Sequence, residues 1–250
     1  MSGHSKWSKI KRKKGANDQK RGKAFSRISK EITVAVREGG GVDPSFNSRL
    51  RLAINNAKGV NMPKDTIQRA IKKGTEDGGA AYAELNYEGY APGGVALYVE
   101  CLTDNTNRTV ANVRALFNKN GGNLATSGSV AFLFDRKGIF EFKQGEWDVD
   151  ELTMELIDDG AEEVEADDGV ITVTTDYTDF GNMQKKLEEL KIDVESATLQ
   201  MIPQQASAVD ASTAKKALRM VELVEEDDDV QAVYHNMELT EEVMALLEAE

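Results

Sequence analysis

The spacing of apolar residues changes near residue 80, and this change divides the chain into two kinds of structure. Before it, apolar side chains recur every three or four residues, as Phe25, Ile28, Ile32 and Val36 do, which is the period of an amphipathic helix. After Ala83, apolar and polar residues alternate over short runs bounded by glycine, which predicts strands. Since 250 residues suffice for two or three small domains, we expect a helical module followed by α+β domains.

Three short helices are predicted in the first 78 residues. The first ends at Gly39-Gly40-Gly41. The second is predicted to begin at Asp43-Pro44, because aspartate suits the N-cap and proline the first turn, to carry Phe46 on its apolar stripe and to end near Gly59. The third is "NMPKDTIQRAIKKG", with its isoleucines facing inward and Gly74 at its end. Together they predict a small bundle, joined to the remainder by "TEDGGAA".

Strands and helices alternate through the rest of the chain. "ELNYEGYAPGGVALYVECL" predicts two strands around a Pro-Gly-Gly turn, "NRTVANVRALFNKNGG" a helix and "SVAFLF" a further strand. Residues 135–203 then read as strand, helix, a hairpin about Asp168-Gly169, helix and strand, which is the ferredoxin-like order βαββαβ. A helix and a strand after Pro203 could complete the sheet begun before Phe134.

This order predicts three domains. Residues 1–78 form a basic arm and a three-helix module. Residues 79–134 and 204–250 form a discontinuous α+β middle domain, and residues 135–203 form a ferredoxin-like α+β domain inserted into it. The fold class expected from the sequence is therefore multidomain α and α+β.

Charge is divided in the same way as structure. Residues 1–75 contain 19 lysines and arginines against 5 acidic residues, whereas the whole chain has a net charge of −12. A basic module joined to an acidic body indicates different partners for the two parts. The cations are concentrated in an N-terminal arm around Trp7 and on the helices that follow.

Catalytic chemistry has little support in the sequence. Cys101 alternates with apolar residues in a strand, which favours a buried side chain over a nucleophile and fits a reducing cytoplasm. His4 and His235 belong to no cluster with zinc-ligand spacing. The runs "DDGAEEVEADDG" and "EEDDD" lack the ligand pattern of a calcium loop and favour solvated acidic surface, or alternatively a surface that repels nucleic acid. No catalytic site, metal or cofactor is predicted.

The basic module predicts a polyanionic partner, because lysine and arginine side chains displace condensed counterions from phosphates. The alternatives are an acidic protein surface or membrane headgroups. Trp7 either stacks on a base or anchors the arm to the protein. The predicted nucleic-acid contacts are Lys6, Trp7, Lys9, Lys11, Arg12, Lys13, Lys14, Lys20, Arg21, Lys23, Arg27, Lys30, Lys64, Arg69, Lys72 and Lys73.

A second candidate lies at the junction "CLTDNTNRTVANV" between a strand and a helix. Backbone N–H groups at the helix start could receive an anion beside Asn105 and Asn107, with Arg108 as counter-charge. The alternative is capping and turn formation by Asp104 and Asn105.

Four segments closely resemble the YebC/PmpR family of bacterial proteins: "MSGHSKWSKIKRKKGANDQKRGKAFSRISKEI", "GGGVDPSFNSRLRLAINNAKGVNMPKDTIQRAIKKG", "YEGYAPGGVALYVECLTDNTNRT" and "NGGNLATSGSVAFLF". The resemblance covers essentially the whole chain, although the acidic C-terminal half matches mainly in element order. It implies one helical and two α+β domains. Family members are named probable transcriptional regulatory proteins, a related mitochondrial protein is a translational activator of cytochrome oxidase, and some bacterial members are linked to ribosomes stalled on proline-rich sequences.

Two functions are therefore expected as alternatives, neither of them enzymatic. The first is a cytoplasmic DNA-binding transcriptional regulator whose acidic domains contact partners or dimerise, although only Gln68 and Arg69 of the third helix could read base edges. The second is a translation factor that binds ribosomal RNA. In that case the loop containing Met62 could reach a functional centre; the alternative for Met62 is a packing or capping role.

Overall fold

The structure is a computed structural model that describes residues 18–76, 81–240 and 242–243, with the backbone alone for residues 18–20. Helices and strands alternate after three initial helices. In chain order they are α1 (Asp18–Glu38), α2 (Ser48–Gly59), α3 (Lys64–Thr75), β1 (Ala83–Tyr90), β2 (Ala96–Thr103), α4 (Thr106–Lys119), β3 (Asn123–Leu124), β4 (Phe134–Lys143), α5 (Val149–Leu156), β5 (Ala161–Asp167), β6 (Val170–Asp176), α6 (Phe180–Glu189), β7 (Val194–Pro203), α7 (Ala211–Glu225) and β8 (Val230–His235).

The start of α2 differs from the prediction. Asp43 and Pro44 form a turn, and the helix begins at Ser48 with Asn47 as its N-cap. Asn47 takes this position because its side chain accepts a hydrogen bond from Leu50 N at 2.9 Å and donates to Ala35 O at 2.7 Å. Phe46 therefore precedes the helix and is exposed, so its predicted place on the apolar stripe is wrong.

Gly74 has a different role from the one predicted. It lies inside α3, which continues to Thr75. A Cβ atom at this position would lie 2.6 Å from Val36 Cβ of α1. The glycine therefore allows the two helices to approach closely, rather than ending the third one.

The first sheet has the strand order β3-β1-β2-β8 and is antiparallel. The two strands around the Pro-Gly-Gly turn form as predicted, and the Pro92–Gly94 segment is a 3-10 turn. Helices α4 and α7 supply Val113, Phe117 and Met220 to the core on one face of this sheet. Cys101 is buried in β2, as its alternation predicts. The last strand, β8, pairs with β2 although more than a hundred residues separate them in the chain.

"SVAFLF" is not a strand, contrary to the prediction. Residues Ala131–Leu133 form a 3-10 turn, and β4 begins only at Phe134. The reason is that the backbone N–H groups of Val130 and Ala131 donate to the buried carboxylate of Glu88, at 2.7 and 2.8 Å. Because these groups are bonded to a side chain, they cannot enter a strand ladder.

The second sheet has the strand order β5-β6-β4-β7 and is also antiparallel. Helices α5 and α6 cover one face, where Phe140, Phe142, Leu152 and Leu187 form the core. The hairpin between β5 and β6 turns at Asp168 and Gly169, whose φ angles of 49° and 76° suit a tight two-residue turn. The sequence predicted both this hairpin and the order of these elements.

The described residues divide into two compact units. Residues 18–27, 81–135 and 201–243, apart from 241, belong to the first, and residues 28–76 and 136–200 to the second. The division falls within α1, so this helix contributes to both units. The protein is thus mixed α/β, with N-terminal helices followed by two four-stranded antiparallel sheets. The three domain boundaries predicted from the sequence stay predictions.

Candidate nucleic-acid interface

Helix α3 presents a basic face to solvent because its opposite face packs on α1. Ile67, Ala70 and Gly74 are buried, and the Thr33 hydroxyl of α1 donates to Ala70 O at 3.2 Å. Residues three and four positions apart share a side of a helix. The exposed side, called the α3 basic face below, consequently carries Lys64, Gln68, Arg69, Lys72 and Lys73.

Three cations of the α3 basic face, Lys64, Arg69 and Lys72, are available to a ligand. Within the part of the chain that the structure describes, Lys64 and Lys72 form no ion pair. Arg69 donates to Asp65 O at 3.3 Å and to the Thr66 hydroxyl at 3.1 Å. Both acceptors are uncharged, so Arg69 has no carboxylate partner among the described residues. Phosphate groups are the ligands such a surface attracts.

Lys58 extends this surface and was missed by the sequence analysis. It is exposed in the last turn of α2, and the chain then reaches Lys64 through a short connection in which Asn61 has a φ of 57°. The signal that could have found it is its position, since a lysine just before a helix ends is poorly placed for the core. Lys58 makes no ion pair with any described residue.

Met62 is buried, with 6% of its surface exposed. Its backbone N–H donates to Ala57 O at 2.9 Å, within the connection between α2 and α3. The packing alternative for this residue is therefore the one observed, and the thioether is not presented at the surface.

The cations of α1 differ in their surroundings. Arg21 is exposed. Lys23 donates to Glu226 O at 3.1 Å and Arg27 to Glu225 O, both carbonyl groups at the end of α7. Unpaired carbonyls at a helix C-terminus attract cations, so these two side chains have an internal role in the first unit. Lys30, farther along α1, is partly buried.

For half of the residues predicted to bind nucleic acid, the structure describes no side chain. Their contacts with nucleic acid stay predictions. Lys20 is in α1, but only its backbone is described. The others are outside the described residues: Lys6, Trp7, Lys9, Lys11, Arg12, Lys13 and Lys14.

The junction between β2 and α4 is organised by internal hydrogen bonds. The Asn105 side chain accepts from Arg108 N at 3.0 Å and caps α4, so the capping interpretation is confirmed for this residue. The Arg108 guanidinium binds both carboxylate oxygens of Asp229, with contacts of 2.7 and 2.9 Å. Asp229 is only 3% exposed, and it also accepts from the Thr109 hydroxyl at 2.9 Å. Asn107 is exposed.

Electrostatics at this junction follow from the same contacts. Hydrogen bonds from Arg108 to Asp229 and to Asp104 hold the pKa of the guanidinium above its ordinary value. The Asp104 contact is 2.8 Å long. With two carboxylates around it, Arg108 is a poor counter-charge for an additional anion. Its observed task is to neutralise a buried aspartate.

In residues 18–76, 81–240 and 242–243, no group of three or more histidine, cysteine or acidic side chains is arranged to hold a metal ion. Over the same residues, every helix is too short or too polar to cross a membrane.

Comparison with known proteins places the whole chain in one group. Residues 5–77 match the TACO1/YebC protein N-terminal domain, and residues 82–237 match the TACO1/YebC second and third domain. The chain is 52% identical over 252 residues to a protein of Chlorobaculum parvum, covering 100% of both chains. It is 53% identical over 243 residues to a protein of Treponema denticola, covering 96% of this chain and 98% of the relative. Both relatives are named probable transcriptional regulatory protein.

A solved structure agrees with this assignment. The crystal structure of a conserved hypothetical protein from Aquifex aeolicus is 44% identical and superposes with a TM-score of 0.79, over 90% of this chain and 93% of that one. The resemblance stated from the sequence motifs is thereby confirmed, and the chain belongs to the TACO1/YebC family.

Proposed function

We propose that this protein is a non-catalytic, nucleic-acid-binding regulator of gene expression, and that its target is DNA at the genes it regulates. The observation that carries the proposal is the α3 basic face, together with Lys58. Five exposed cations, four on α3 and one in the last turn of α2, outnumber the carboxylates of Asp65 and Glu76 and form a positive surface that suits a phosphate backbone. The names of the relatives support the regulatory part of this proposal.

The mode of binding follows from which side chains are present. Lysine and arginine position a protein on the phosphates, while sequence is read at base edges by residues such as asparagine, glutamine and arginine. On the α3 basic face, only Gln68 and Arg69 are of the residue types that read base edges. We infer that affinity is mainly electrostatic and that sequence preference is weak, a mode that would serve ribosomal RNA as well as DNA.

The domain arrangement, the contact for protein partners and the cellular location are proposed from the sequence and the fold. A ferredoxin-like domain at residues 135–203, inserted into a discontinuous middle domain, is supported by the strand order of the second sheet. Its acidic surface is the proposed contact for protein partners. The cytoplasm is the proposed location, because a single cysteine, buried in a strand, suits a reducing compartment.

Binding is tested by fluorescence anisotropy with labelled duplex DNA and with an RNA fragment, at two salt concentrations between about 50 and 200 mM. The double variant Lys64→Ala/Lys72→Ala should weaken binding and reduce the slope of log Kd against log salt, by about one for each phosphate that the variant no longer neutralises. The matched control is Lys185→Ala/Lys216→Ala, which removes two exposed lysines from α6 and α7. Equal binding by both double variants would contradict the proposed interface.

The choice between DNA and RNA needs a test in cells. Crosslinking followed by sequencing of both nucleic acids should recover DNA if the transcriptional proposal holds. Sedimentation of lysate on a sucrose gradient, with and without nuclease, gives the complementary result. Nuclease-sensitive migration with ribosomes, accompanied by crosslinks to ribosomal RNA alone, would replace DNA by RNA as the target.

A further inference from the structure

Phe46 is held in solvent by an ordered turn. It is 86% exposed, more than any other large apolar residue in the described part of the chain. The Asp43 carboxylate accepts from Ser45 N at 2.9 Å, and Asp43 O accepts from Phe46 N at 3.1 Å and from Asn47 N at 3.0 Å. The exposure of the ring is therefore a consequence of fixed local hydrogen bonds.

Asn47 attaches this turn to the helical module. Its side chain is buried, with 1% of the residue exposed, and all of its hydrogen-bonding groups have partners. The amide nitrogen donates to Ala35 O and to Gly41 O, at 2.7 and 2.8 Å, while the amide oxygen accepts from Leu50 N. Turning Phe46 inward would break bonds of a buried neighbour, which is costly.

The turn lies at the end of the module where α1 and α3 finish. Arg37 of α1 donates to Lys73 O of α3 at 3.2 Å, so the C-terminal ends of the two helices meet. Ala35, which holds Asn47, is two residues from Arg37 and so about 3 Å away along the helix axis. Phe46, which precedes Asn47, therefore lies at the same end of the module as Lys72 and Lys73.

Charged side chains of both signs surround the turn. Arg51 donates to Pro44 O at 3.2 Å, so it lies directly beside the turn, and it also forms an ion pair with Glu188 at 3.5 Å. Arg49, three residues after Phe46, forms an ion pair with Glu38 at 2.9 Å. The carboxylates around the turn are those of Glu38, Asp43 and Glu188. The excess of positive charge at this end of the module is that of the α3 basic face. Proteins bind unpaired nucleotides with an exposed ring that stacks on a base and with cations that contact the phosphates, and Phe46 and the α3 basic face supply these two parts.

We propose that Phe46 stacks on an unpaired base, and that within the nucleic acid it binds this surface therefore prefers an opened or looped stretch over a regular duplex. This inference rests on the proposed function and names its ligand class. A base in a duplex is stacked between its neighbours and offers no face to a ring carried on a protein turn. The cations of the α3 basic face would bind either form, so the discrimination comes from the ring.

The test compares four proteins on two probes. Wild type, Phe46→Ala, Phe46→Leu and Phe46→Trp are titrated by anisotropy into a labelled single-stranded DNA and into a DNA duplex of the same length. We expect Phe46→Ala to bind the single strand about tenfold more weakly, as loss of one base–aromatic stack predicts, and to bind the duplex unchanged. Phe46→Trp should bind at least as well as wild type, whereas Phe46→Leu should resemble Phe46→Ala because leucine has no π face.

A control variant and the leucine substitution distinguish base stacking from a simple apolar contact. Val42→Ala removes the other exposed apolar side chain of the same loop and should leave both affinities unchanged. Wild-type affinity in Phe46→Ala would overturn the inference. Wild-type affinity of Phe46→Leu for the single strand would also overturn the inference, because leucine can replace phenylalanine in an apolar contact, of the kind a protein partner makes, but not in a base stack. Thermal melts should coincide for all variants, since the ring is outside the core.

The two proposals fail in different ways. If wild type binds neither probe, the proposed function fails. If wild type binds and Lys64→Ala/Lys72→Ala weakens binding, but no Phe46 substitution has an effect, only the role of Phe46 is excluded.

Discussion

The side chain of Asn56 hydrogen-bonds both backbone groups of Ala197. Its amide nitrogen donates to Ala197 O at 3.0 Å, and its amide oxygen accepts from Ala197 N at 2.9 Å. Ala197 lies in β7, the edge strand of the second sheet, so a side chain of α2 occupies the place that a further strand would take. Exposed edge strands invite pairing with other chains, and this contact protects the edge at one residue.

Replacing Asn56 should destabilise the second unit. In Asn56→Ala, two backbone groups lose their partners, and we expect the free energy of unfolding to fall by about 1–3 kcal/mol. Urea unfolding followed by circular dichroism measures this change. Asn55→Ala, on the same helix, is the matched control and should have little effect. Equal stability of the two variants would mean that the contact contributes nothing in solution.

Two helical glycines should respond in opposite ways to alanine. A Cβ at Gly59 would lie 1.8 Å from Glu195 O, a backbone atom of β7 that cannot move aside easily. Gly22 in α1 has no neighbour within 4 Å of such a Cβ. We therefore expect Gly22→Ala to stabilise by up to about 1 kcal/mol through helix propensity, and Gly59→Ala to destabilise despite the same propensity gain. Thermal melts of the two variants check the signs; stabilisation by Gly59→Ala would show that α2 does not abut β7.

Glu88 should make stability depend on pH in the acidic range. Burial at 4% exposure by itself raises the pKa of a carboxyl group, but backbone N–H donors from Gly128, Val130 and Ala131 outweigh it and hold the pKa of Glu88 below its ordinary value. The folded protein therefore keeps this group ionised at a pH where the unfolded chain is already protonated. Its contribution is complete above the unfolded pKa of about 4.3 and is lost as the pH falls through the lower folded value.

The variant Glu88→Gln tests this dependence. At neutral pH it should be less stable than wild type, because an amide presents a donor to three N–H groups that need an acceptor. The difference in urea midpoint should shrink as the pH is lowered through the folded pKa of Glu88. Glu146→Gln, a substitution of an exposed carboxylate after β4, should track wild type at every pH. A constant difference between wild type and Glu88→Gln would contradict the role given to this carboxylate.

Arg108 should behave as a structural residue. In Arg108→Ala the buried carboxylate of Asp229 loses its ion-pair partner, and an unpaired buried charge is strongly destabilising. We expect a clear drop in melting temperature, larger than that of Arg114→Ala on the exposed side of the same helix. A variant that melts like wild type but binds nucleic acid more weakly would instead support the anion-contact alternative.

Local patterns sufficed for most elements because the information is local. The stripe from Phe25 to Val36 predicts α1, and Asp168-Gly169 predicts the hairpin between β5 and β6, since helical spacing and turn geometry depend on neighbouring residues. The concentration of cations before residue 76 is likewise a property of the sequence alone. It indicates the kind of ligand without identifying which cations are accessible.

Tertiary structure decided the features that depend on distant partners. Asn47 replaced Asp43 as the cap of α2 because Ala35 offers its amide an acceptor, and Phe46 was exposed as a result. "SVAFLF" failed to form a strand because Glu88, about forty residues earlier, takes its N–H groups. Lys23 and Arg27 form hydrogen bonds with the end of α7, whereas Lys58 and Lys64 are exposed.

The sequence by itself determined the helices, the hairpins and the sign of the basic module, because periodicity and charge are carried by the residues themselves. Which side chains remain available to a ligand depended on hydrogen bonds between residues far apart in the chain, and these exist only once the chain has folded.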